Sequence, residues 1–378
     1  MTDIYCPMIH GGLNINFKQT NTFTFNQCCL SKVELTTPAD SNRFWDHKKL
    51  IEIRNQNNEN VWNEGCWECE RLENAGLSSF RKSMIDKFGI KKNISGPQRI
   101  DLLFDRSCNL ACVTCGPSHS TFWQKHLKEH NISIPIEHTT NKSSMPEIFQ
   151  ILKSMDLSNL EMLQFCGGET LMGNTYWKTA EFIADLIPDA VNKIEIAFQT
   201  NGTQPIDKKY YNIIEKFKLV KFFISLDSVQ ERFEYLRWPA SWNQVVDNIM
   251  SWREDLPVNV MFFVQETTSC LNLYHYRDVP NWIKNNFSKN RLGDPIEYAT
   301  QLAMHEHFNV NNITNEYFDI IKDTPMKNVL VNDWQENPDK IKNMLRMLNR
   351  NDNMRQTNWV KTFPEVAEFY SRYFNKYS

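Results

Sequence analysis

The chain has 378 residues, with 42 lysine and arginine residues against 45 aspartate and glutamate residues, and a formal net charge of −3. This length accommodates one barrel-sized domain and a smaller one, and a near-neutral charge without a basic block argues against a nucleic-acid partner. No apolar run is long enough to cross a bilayer, and the polar first residues are not a signal peptide. Because no export signal is seen, we expect the ten cysteines to be in a reducing cytoplasm. We expect no membrane association.

The first quarter of the chain, 1–94, is predicted to form a small module. Alternating apolar residues over 13–17 and 22–27 predict a β-hairpin, and 44–55 has a helical pattern. The module also contains a group of cysteines, of which the last two form a Cys-x2-Cys metal doublet. Its members are Cys6, Cys28, Cys29, Cys66 and Cys69.

The region 95–308 alternates short apolar runs with helical patterns. The predicted strands are 100–104, 160–165, 193–198, 219–225, 258–264 and 296–303. The predicted helices between them are 121–130, 176–187, 208–217, 242–252 and 274–286. This alternation predicts parallel βαβ units and an α/β fold, a partial (β/α)6 barrel of TIM type whose chemistry lies on loops after the strands. The remainder, 309–378, is predicted to be a helical extension, with amphipathic stretches at 341–348 and 366–373.

The loop after the first barrel strand carries Cys108, Cys112 and Cys115 in the spacing Cys-x3-Cys-x2-Cys. Three thiolates on one loop can hold three irons of a [4Fe–4S] cluster and leave the fourth iron open, whereas a closed electron-transfer cluster normally has four cysteines. Zinc sites usually pair two ligand doublets. The spacing therefore favours a cluster with an open iron over zinc.

This spacing resembles the signature of the radical S-adenosylmethionine (radical SAM) superfamily, and Cys166-Gly167-Gly168-Glu169 resembles the family's Gly-Gly-Glu motif. The resemblance implies that S-adenosyl-L-methionine (SAM) chelates the open iron. An electron from an external reductant, of flavodoxin or ferredoxin type, then cleaves SAM to methionine and a 5′-deoxyadenosyl radical that abstracts hydrogen from a substrate. Glu169 would accept from the methionyl ammonium. Thr114 stands where relatives often have an aromatic residue, so the adenine must find its stacking surface elsewhere.

Three further residues match segments that line the SAM site in relatives. Asn201 and Ser225 follow the third and fourth barrel strands, and Arg237 lies in Tyr235-Leu236-Arg237-Trp238-Pro239. The resemblance implies that Ser225 and Arg237 contact the methionyl carboxylate. The alternatives are capped turns for the first two residues and an exposed surface arginine for the third.

The N-terminal cysteines resemble the auxiliary-cluster module called twitch, the short form of the SPASM domain. Cys6-Pro7, His10, the Cys28-Cys29 pair and the Cys66/Cys69 doublet carry this resemblance. It implies a second, closed [4Fe–4S] cluster on Cys6, Cys28, Cys66 and Cys69. The resemblance does not decide whether Cys29 is the ligand in place of Cys28. A structural zinc site on the same four cysteines is the alternative.

Cys270 follows the fifth barrel strand, where a thiol would be able to give a hydrogen atom to a substrate radical. The alternative is a buried packing residue. We expect a radical SAM enzyme with a peptide substrate, as in relatives with the auxiliary module, modified for example by epimerisation or cross-linking. The alternatives are a carbohydrate or nucleotide-derived small molecule as substrate, and a non-catalytic iron–sulfur or zinc protein.

Overall fold

The computed structural model describes residues 4–19, 22–31, 33–38, 44–74, 76, 78–92, 94–135, 145–303, 305–331 and 334–376. The strands are β1 (Gly12–Gln19), β2 (Thr22–Asn26), β3 (Leu35–Pro38), β4 (Arg99–Asp105), β5 (Met162–Gly167), β6 (Glu195–Thr200), β7 (Leu219–Ser225), β8 (Val260–Thr268) and β9 (Glu297–Leu302). The α-helices are α1 (Pro7–Gly11), α2 (Lys48–Asn58), α3 (Trp67–Asn74), α4 (Phe80–Phe88), α5 (Thr121–Glu129), α6 (Met145–Lys153), α7 (Thr175–Leu186), α8 (Ala190–Lys193), α9 (Tyr211–Ile214), α10 (Gln230–Leu236), α11 (Trp242–Asp255), α12 (Asp278–Asn286), α13 (Asn315–Ile321), α14 (Pro338–Arg355), α15 (Trp359–Thr362) and α16 (Pro364–Phe369).

The strands follow the order β3-β2-β1-β4-β5-β6-β7-β8-β9. The pairs β1–β4, β4–β5, β5–β6 and β8–β9 are parallel, whereas β1–β2 and β2–β3 are antiparallel. Each strand from β4 to β9 corresponds to one of the six predicted barrel strands, with helices between them. Within the described residues, the sheet ends at β3 and β9 and does not close. The predicted fold class, an α/β partial barrel, is confirmed.

The chain divides into two compact units. The first contains 1–106, 140–199 and 207–221, and the second contains 107–139, 200–206 and 222–378. These units group the chain differently from the three segments 1–94, 95–308 and 309–378, which stay a sequence-based prediction. No helix among the described residues is both long enough and apolar enough to cross a membrane.

In the first unit, the predicted N-terminal hairpin is an extension of the barrel sheet. β1 runs parallel to β4, with Gly12 opposite Arg99 and Asn16 opposite Leu103. One face of β4 is apolar and buried, whereas the other carries Arg99, whose guanidinium donates to an Asp101 carboxylate oxygen at 2.7 Å. This period-two alternation is expected for a strand between a helical layer and a polar interior.

In the second unit, the C-terminal helices are part of a larger hydrophobic cluster. Leu345 and Leu348 of α14 and Trp359 of α15 pack in the same buried cluster as Val113 and Leu271. The amphipathic pattern predicted for 341–348 is therefore confirmed as one face of α14 (Pro338–Arg355). The extension shares this cluster with the loop that follows β4 and with the loop that follows β8.

Candidate cluster and SAM site

The loop with Cys108, Cys112 and Cys115 lies in the second unit, and its backbone is paired with the segment after α10. The Ala111 amide donates to the Trp238 carbonyl at 2.7 Å, and the Val113 amide donates to the Leu236 carbonyl at 2.7 Å. Alternate residues of the loop thus bond as in a short strand. The two paired residues lie on either side of the second cysteine, Cys112.

Two side chains hold the carbonyl groups of the same loop. The indole nitrogen of Trp123, on α5, donates to the Cys112 carbonyl at 2.9 Å. The Arg355 guanidinium, from the last residue of α14, donates to the Ala111 carbonyl at 2.7 Å. Because these donors come from separate helices, the loop conformation is set by residues outside the loop. Sequence reasoning missed Arg355.

The three thiols are half-buried and have polar neighbours within the unit. The Asn201 amide nitrogen lies 4.0 Å from Cys108 Sγ and donates to the Asn109 side-chain oxygen at 3.1 Å. Burial raises the pKa of Cys112, although the positive charge of Arg237 opposes that rise. A set of soft thiol donors on one loop suits an iron–sulfur cluster. Asn201, one of the predicted SAM residues, thus lies beside the first cysteine of the loop.

Arg237 is neither exposed nor unpaired. One of its terminal nitrogens donates to Asp227 Oδ1 at 3.0 Å, and its Nε lies 2.9 Å from Asp227 Oδ2 without hydrogen-bond alignment. Asp227 also accepts from the Thr267 amide at 2.8 Å and is 2% exposed. The surface-arginine alternative is therefore wrong, and the pairing with Asp227 was not predicted. Ser225 is half-buried at the end of β7.

The Gly-Gly-Glu turn lies in the first unit, at the end of β5. Gly167 has a φ of +142°, and a Cβ there would come within 2.3 Å of the Asp105 carbonyl and 2.5 Å of the Tyr176 hydroxyl. Only glycine fits this close approach. The Gly168 amide donates to the same Asp105 carbonyl at 3.1 Å. The first glycine is thus required by the backbone of the unit itself.

Glu169, the acid of that turn, is 1% exposed. One of its carboxylate oxygens accepts from the Leu171 amide at 2.9 Å. A buried carboxylate needs a hydrogen-bonding or charged partner, and this bond fixes the direction of the side chain. The role of Glu169 in binding SAM stays a prediction.

The four predicted auxiliary cysteines lie together in the first unit. Cys6, Cys28, Cys66 and Cys69 all line one cavity, along with Arg81. Of the adjacent Cys28–Cys29 pair, only Cys28 is a lining residue; the Cys29 side chain is exposed. The geometry therefore favours Cys28 over Cys29 as the fourth ligand.

The environment of these thiols is apolar but supplies hydrogen bonds. Burial raises the pKa of Cys6 to about 12 and that of Cys66 to about 11, so neither thiol ionises readily without a metal. Hydrogen bonds from the amides of Met8 and Ile9 counter part of this rise at Cys6. The Leu30 amide donates to Cys28 Sγ at 3.5 Å. Amide donors to sulfur are among the groups that tune iron–sulfur clusters.

The arrangement of the ligands bears on the choice between zinc and a cluster. Among the residues that the structure describes, no three His, Cys, Asp or Glu side chains are placed to hold a single metal ion. One tetrahedral zinc requires its four ligands to converge on one atom. A [4Fe–4S] cluster distributes its cysteines over four irons and has a wider ligand shell. The closed cluster on the N-terminal thiols, with zinc as its alternative, stays a prediction.

Cys270 lies in an apolar setting in the second unit. Its side chain is 0% exposed, and its Sγ lies 3.1 Å from Met344 Sδ within the same hydrophobic cluster as Leu273. The expectation that this thiol faces the barrel mouth gains no support from the structure, because apolar side chains enclose it. The packing alternative is the one that the burial favours.

Comparisons with known proteins agree with the motif assignment. Residues 102–269 match the sequence model of the radical SAM superfamily. Two curated proteins of Corynebacterium glutamicum, both named GTP 3′,8-cyclase, are 29% identical over 151 residues, which are 40% of this chain and 35% of each relative. The chain thus matches about a third of the length of these relatives.

Solved structures with similar folds include anSMEcpe with bound AdoMet and Streptococcus suis SuiB bound to precursor peptide SuiA. The first is 17% identical, with a TM-score of 0.38 and coverage of 55% of this chain and 52% of that chain. The second is 13% identical, with a TM-score of 0.38 and coverage of 94% of this chain and 74% of that chain.

The cysteine loop and the Gly-Gly-Glu turn both lie inside the matched segment, and residues 102–269 form a radical SAM domain. Such domains belong to enzymes, so the predicted enzyme class is confirmed at this level. The family implies SAM and one [4Fe–4S] cluster as cofactors.

Proposed function

We propose that this protein is a radical SAM enzyme that binds a [4Fe–4S] cluster through Cys108, Cys112 and Cys115. The observation that supports this most is the loop itself, because it has three thiols and a backbone fixed from outside by Trp123 and Arg355. When bound, the reduced cluster and SAM together supply a radical able to abstract hydrogen from a substrate. The residues of the chain hold and orient these groups.

The SAM-binding residues keep the roles that the motifs predict, with one change. Glu169 accepts from the methionyl ammonium, Gly167 and Gly168 admit the ligand close to the backbone, and Asn201 and Ser225 contribute polar contacts. Arg237 is already paired with Asp227. Its pairing with the methionyl carboxylate would therefore have to share the guanidinium with Asp227.

A second [4Fe–4S] cluster is bound by Cys6, Cys28, Cys66 and Cys69, in a twitch- or SPASM-like module. The support is that these four thiols line one cavity. When bound there, such a cluster would supply a route for an electron to or from the substrate radical, or a place for the substrate to bind. All ten cysteines are free thiols, which fits a reducing, cytoplasmic setting. The proposed electron donor is an external reductant of flavodoxin or ferredoxin type.

The proposed substrate is a peptide, since the auxiliary cysteine group resembles that of peptide-modifying relatives. A nucleotide-derived small molecule is the second candidate, and the match to two GTP 3′,8-cyclases favours it. Incubation of the reduced enzyme with GTP, and separately with any short peptide encoded beside its gene, separates the two. Consumption of GTP without modification of the peptide would reverse our order.

Anaerobic reconstitution tests both clusters. The wild type should hold about eight irons and form 5′-deoxyadenosine, by the ligand count of two cubane clusters. A triple alanine variant of Cys108, Cys112 and Cys115 should keep about half of the iron and lose SAM cleavage. The matched control is Cys270→Ala, which removes a thiol outside both groups and should keep all of the iron. Zinc in the N-terminal group, or no SAM cleavage by the wild type, contradicts the proposal.

A further inference from the structure

Arg355 is a buried cation with few partners. It is 6% exposed, and one of its terminal nitrogens donates to the Ala111 carbonyl. Its Nε and its other terminal nitrogen are buried and have no hydrogen-bond acceptor. Two unpaired N–H groups of a charged side chain carry a large desolvation cost. A stable protein is expected to offset this cost with a nearby negative group.

No carboxylate contacts Arg355 directly. Among the described residues, no Asp or Glu oxygen lies within 4.0 Å of its guanidinium, and Asp352, three residues earlier in α14, acts on it only at longer range. The guanidinium instead lies over the ring of Trp123, 4.7 Å from its centroid, and 5.4 Å from that of Trp238. Arg237, by contrast, has a direct carboxylate partner. The second unit thus contains one buried arginine with a direct ion-pair partner and one without.

This charge lies beside the cysteine loop. Arg355 bonds the carbonyl of Ala111, the residue before Cys112. Thiolate ligands and the irons of a bound cluster form an anionic group, and one-electron reduction makes it more negative. In a medium of low dielectric constant, a nearby fixed cation favours the more negative state.

We propose that Arg355 is a positioning residue of the three-cysteine cluster. It fixes the loop through the Ala111 carbonyl, and its buried charge, which no carboxylate contacts directly, raises the reduction potential. This inference rests on the proposed function. It assigns to the C-terminal helix α14 a part in making the cluster reducible. The two contributions are separable, because a neutral amide can replace the hydrogen bond but cannot replace the charge.

Redox titration of the full-length, reconstituted protein tests the proposal. The titration is monitored by the EPR signal that responds to added SAM. Arg355→Gln should keep the iron but show at least a tenfold smaller equilibrium constant for reduction, which is a midpoint about 59 mV lower for one electron. Arg355→Lys should stay within threefold of the wild type, because it keeps the charge. Arg355→Met should lose iron as well, since it removes the donor. The matched control is Arg346→Gln, an exposed charge on the same helix.

Each outcome decides one question. Equal midpoints for Arg355→Gln, Arg346→Gln and the wild type overturn this inference while the proposed function stands. A wild type that holds no SAM-responsive cluster overturns the proposed function and this inference with it. If Arg355→Gln does not retain iron, the midpoint of Arg355→Lys decides. A tenfold change in its equilibrium constant for reduction overturns the electrostatic role, because this variant keeps the charge. A midpoint equal to that of the wild type supports the role.

Discussion

Removal of Asp227 should destabilise the second unit far more than removal of an exposed ion-pair partner. Asp227 is 2% exposed, and it accepts both from Arg237 and from the Thr267 amide. Asp227→Ala would leave a guanidinium and an amide buried without an acceptor. Loss of one partner of a buried ion pair costs about 3–5 kcal/mol of unfolding free energy.

A half-exposed ion pair of the same unit provides the matched control. Arg232 and Asp278 lie 2.6 Å apart, with side-chain exposures of 28% and 26%. Solvent screens such a pair, so Asp278→Ala should cost about 0.2–1 kcal/mol. Urea unfolding of the apo chain under reducing conditions gives both values.

A double-mutant cycle then separates the ion pair from other effects of the substitutions. Arg237→Ala combined with Asp227→Ala should cost about 1–3 kcal/mol less than the sum of the single changes, because neither charge is left unpaired. The reasoning is refuted if Asp227→Ala is no more destabilising than Asp278→Ala, or if the two single changes add.

Three further predictions concern single carboxylates and one thiol. Glu169→Gln should weaken SAM binding by about 1.5–3 kcal/mol at full iron content, because a charge-assisted bond is lost; calorimetric titration measures it, and unchanged affinity removes Glu169 from the site. Cys270→Ala should keep 5′-deoxyadenosine formation with a modest loss of stability, whereas normal SAM cleavage with altered product would restore the hydrogen-donor hypothesis. Burial raises the pKa of Glu266 to about 8. Between about pH 4.5 and 8, the folded chain therefore retains a proton that the unfolded chain releases, and the free energy of unfolding falls as the pH rises. Glu266→Gln should flatten that part of the profile in urea unfolding, and an unchanged slope would contradict the shift.

The strands and the cysteine groups were accessible from the sequence because both are local patterns. β4 spans Arg99–Asp105 where 100–104 was predicted, because a short run of apolar residues marks this buried strand in the sequence. The Cys108–Cys115 spacing is likewise contained in eight residues. Grouping Cys6 with Cys66 across the sequence depended on a family resemblance rather than on periodicity. The shared cavity lining agrees with that grouping.

Non-local partners were not accessible in this way. The parallel pairing of β1 with β4 joins strands that lie more than eighty residues apart in the sequence, and no pattern within either strand specifies its neighbour. Arg355 is separated from Ala111 by 244 positions, in a helix whose visible signal is an apolar stripe. Asp227 lies two residues after Ser225 in the sequence, but its pairing with Arg237 depends on how the chain folds after β7.

Arg81, which lines the auxiliary cavity, differs from Arg355 in its partners. It lies beside the predicted auxiliary cysteines, but its guanidinium donates to Glu73 at 2.8 and 2.5 Å and to the Tyr5 carbonyl at 2.7 Å. Its charge is therefore neutralised locally, and its effect on a cluster would be small to first order. Arg81→Gln would uncover the Glu73 carboxylate and should lower the midpoint of the proposed auxiliary cluster through that new negative charge. Arg355→Gln breaks no direct ion pair, because Asp352 acts on the arginine only at longer range; a lowering that it causes therefore comes mainly from the loss of the cation.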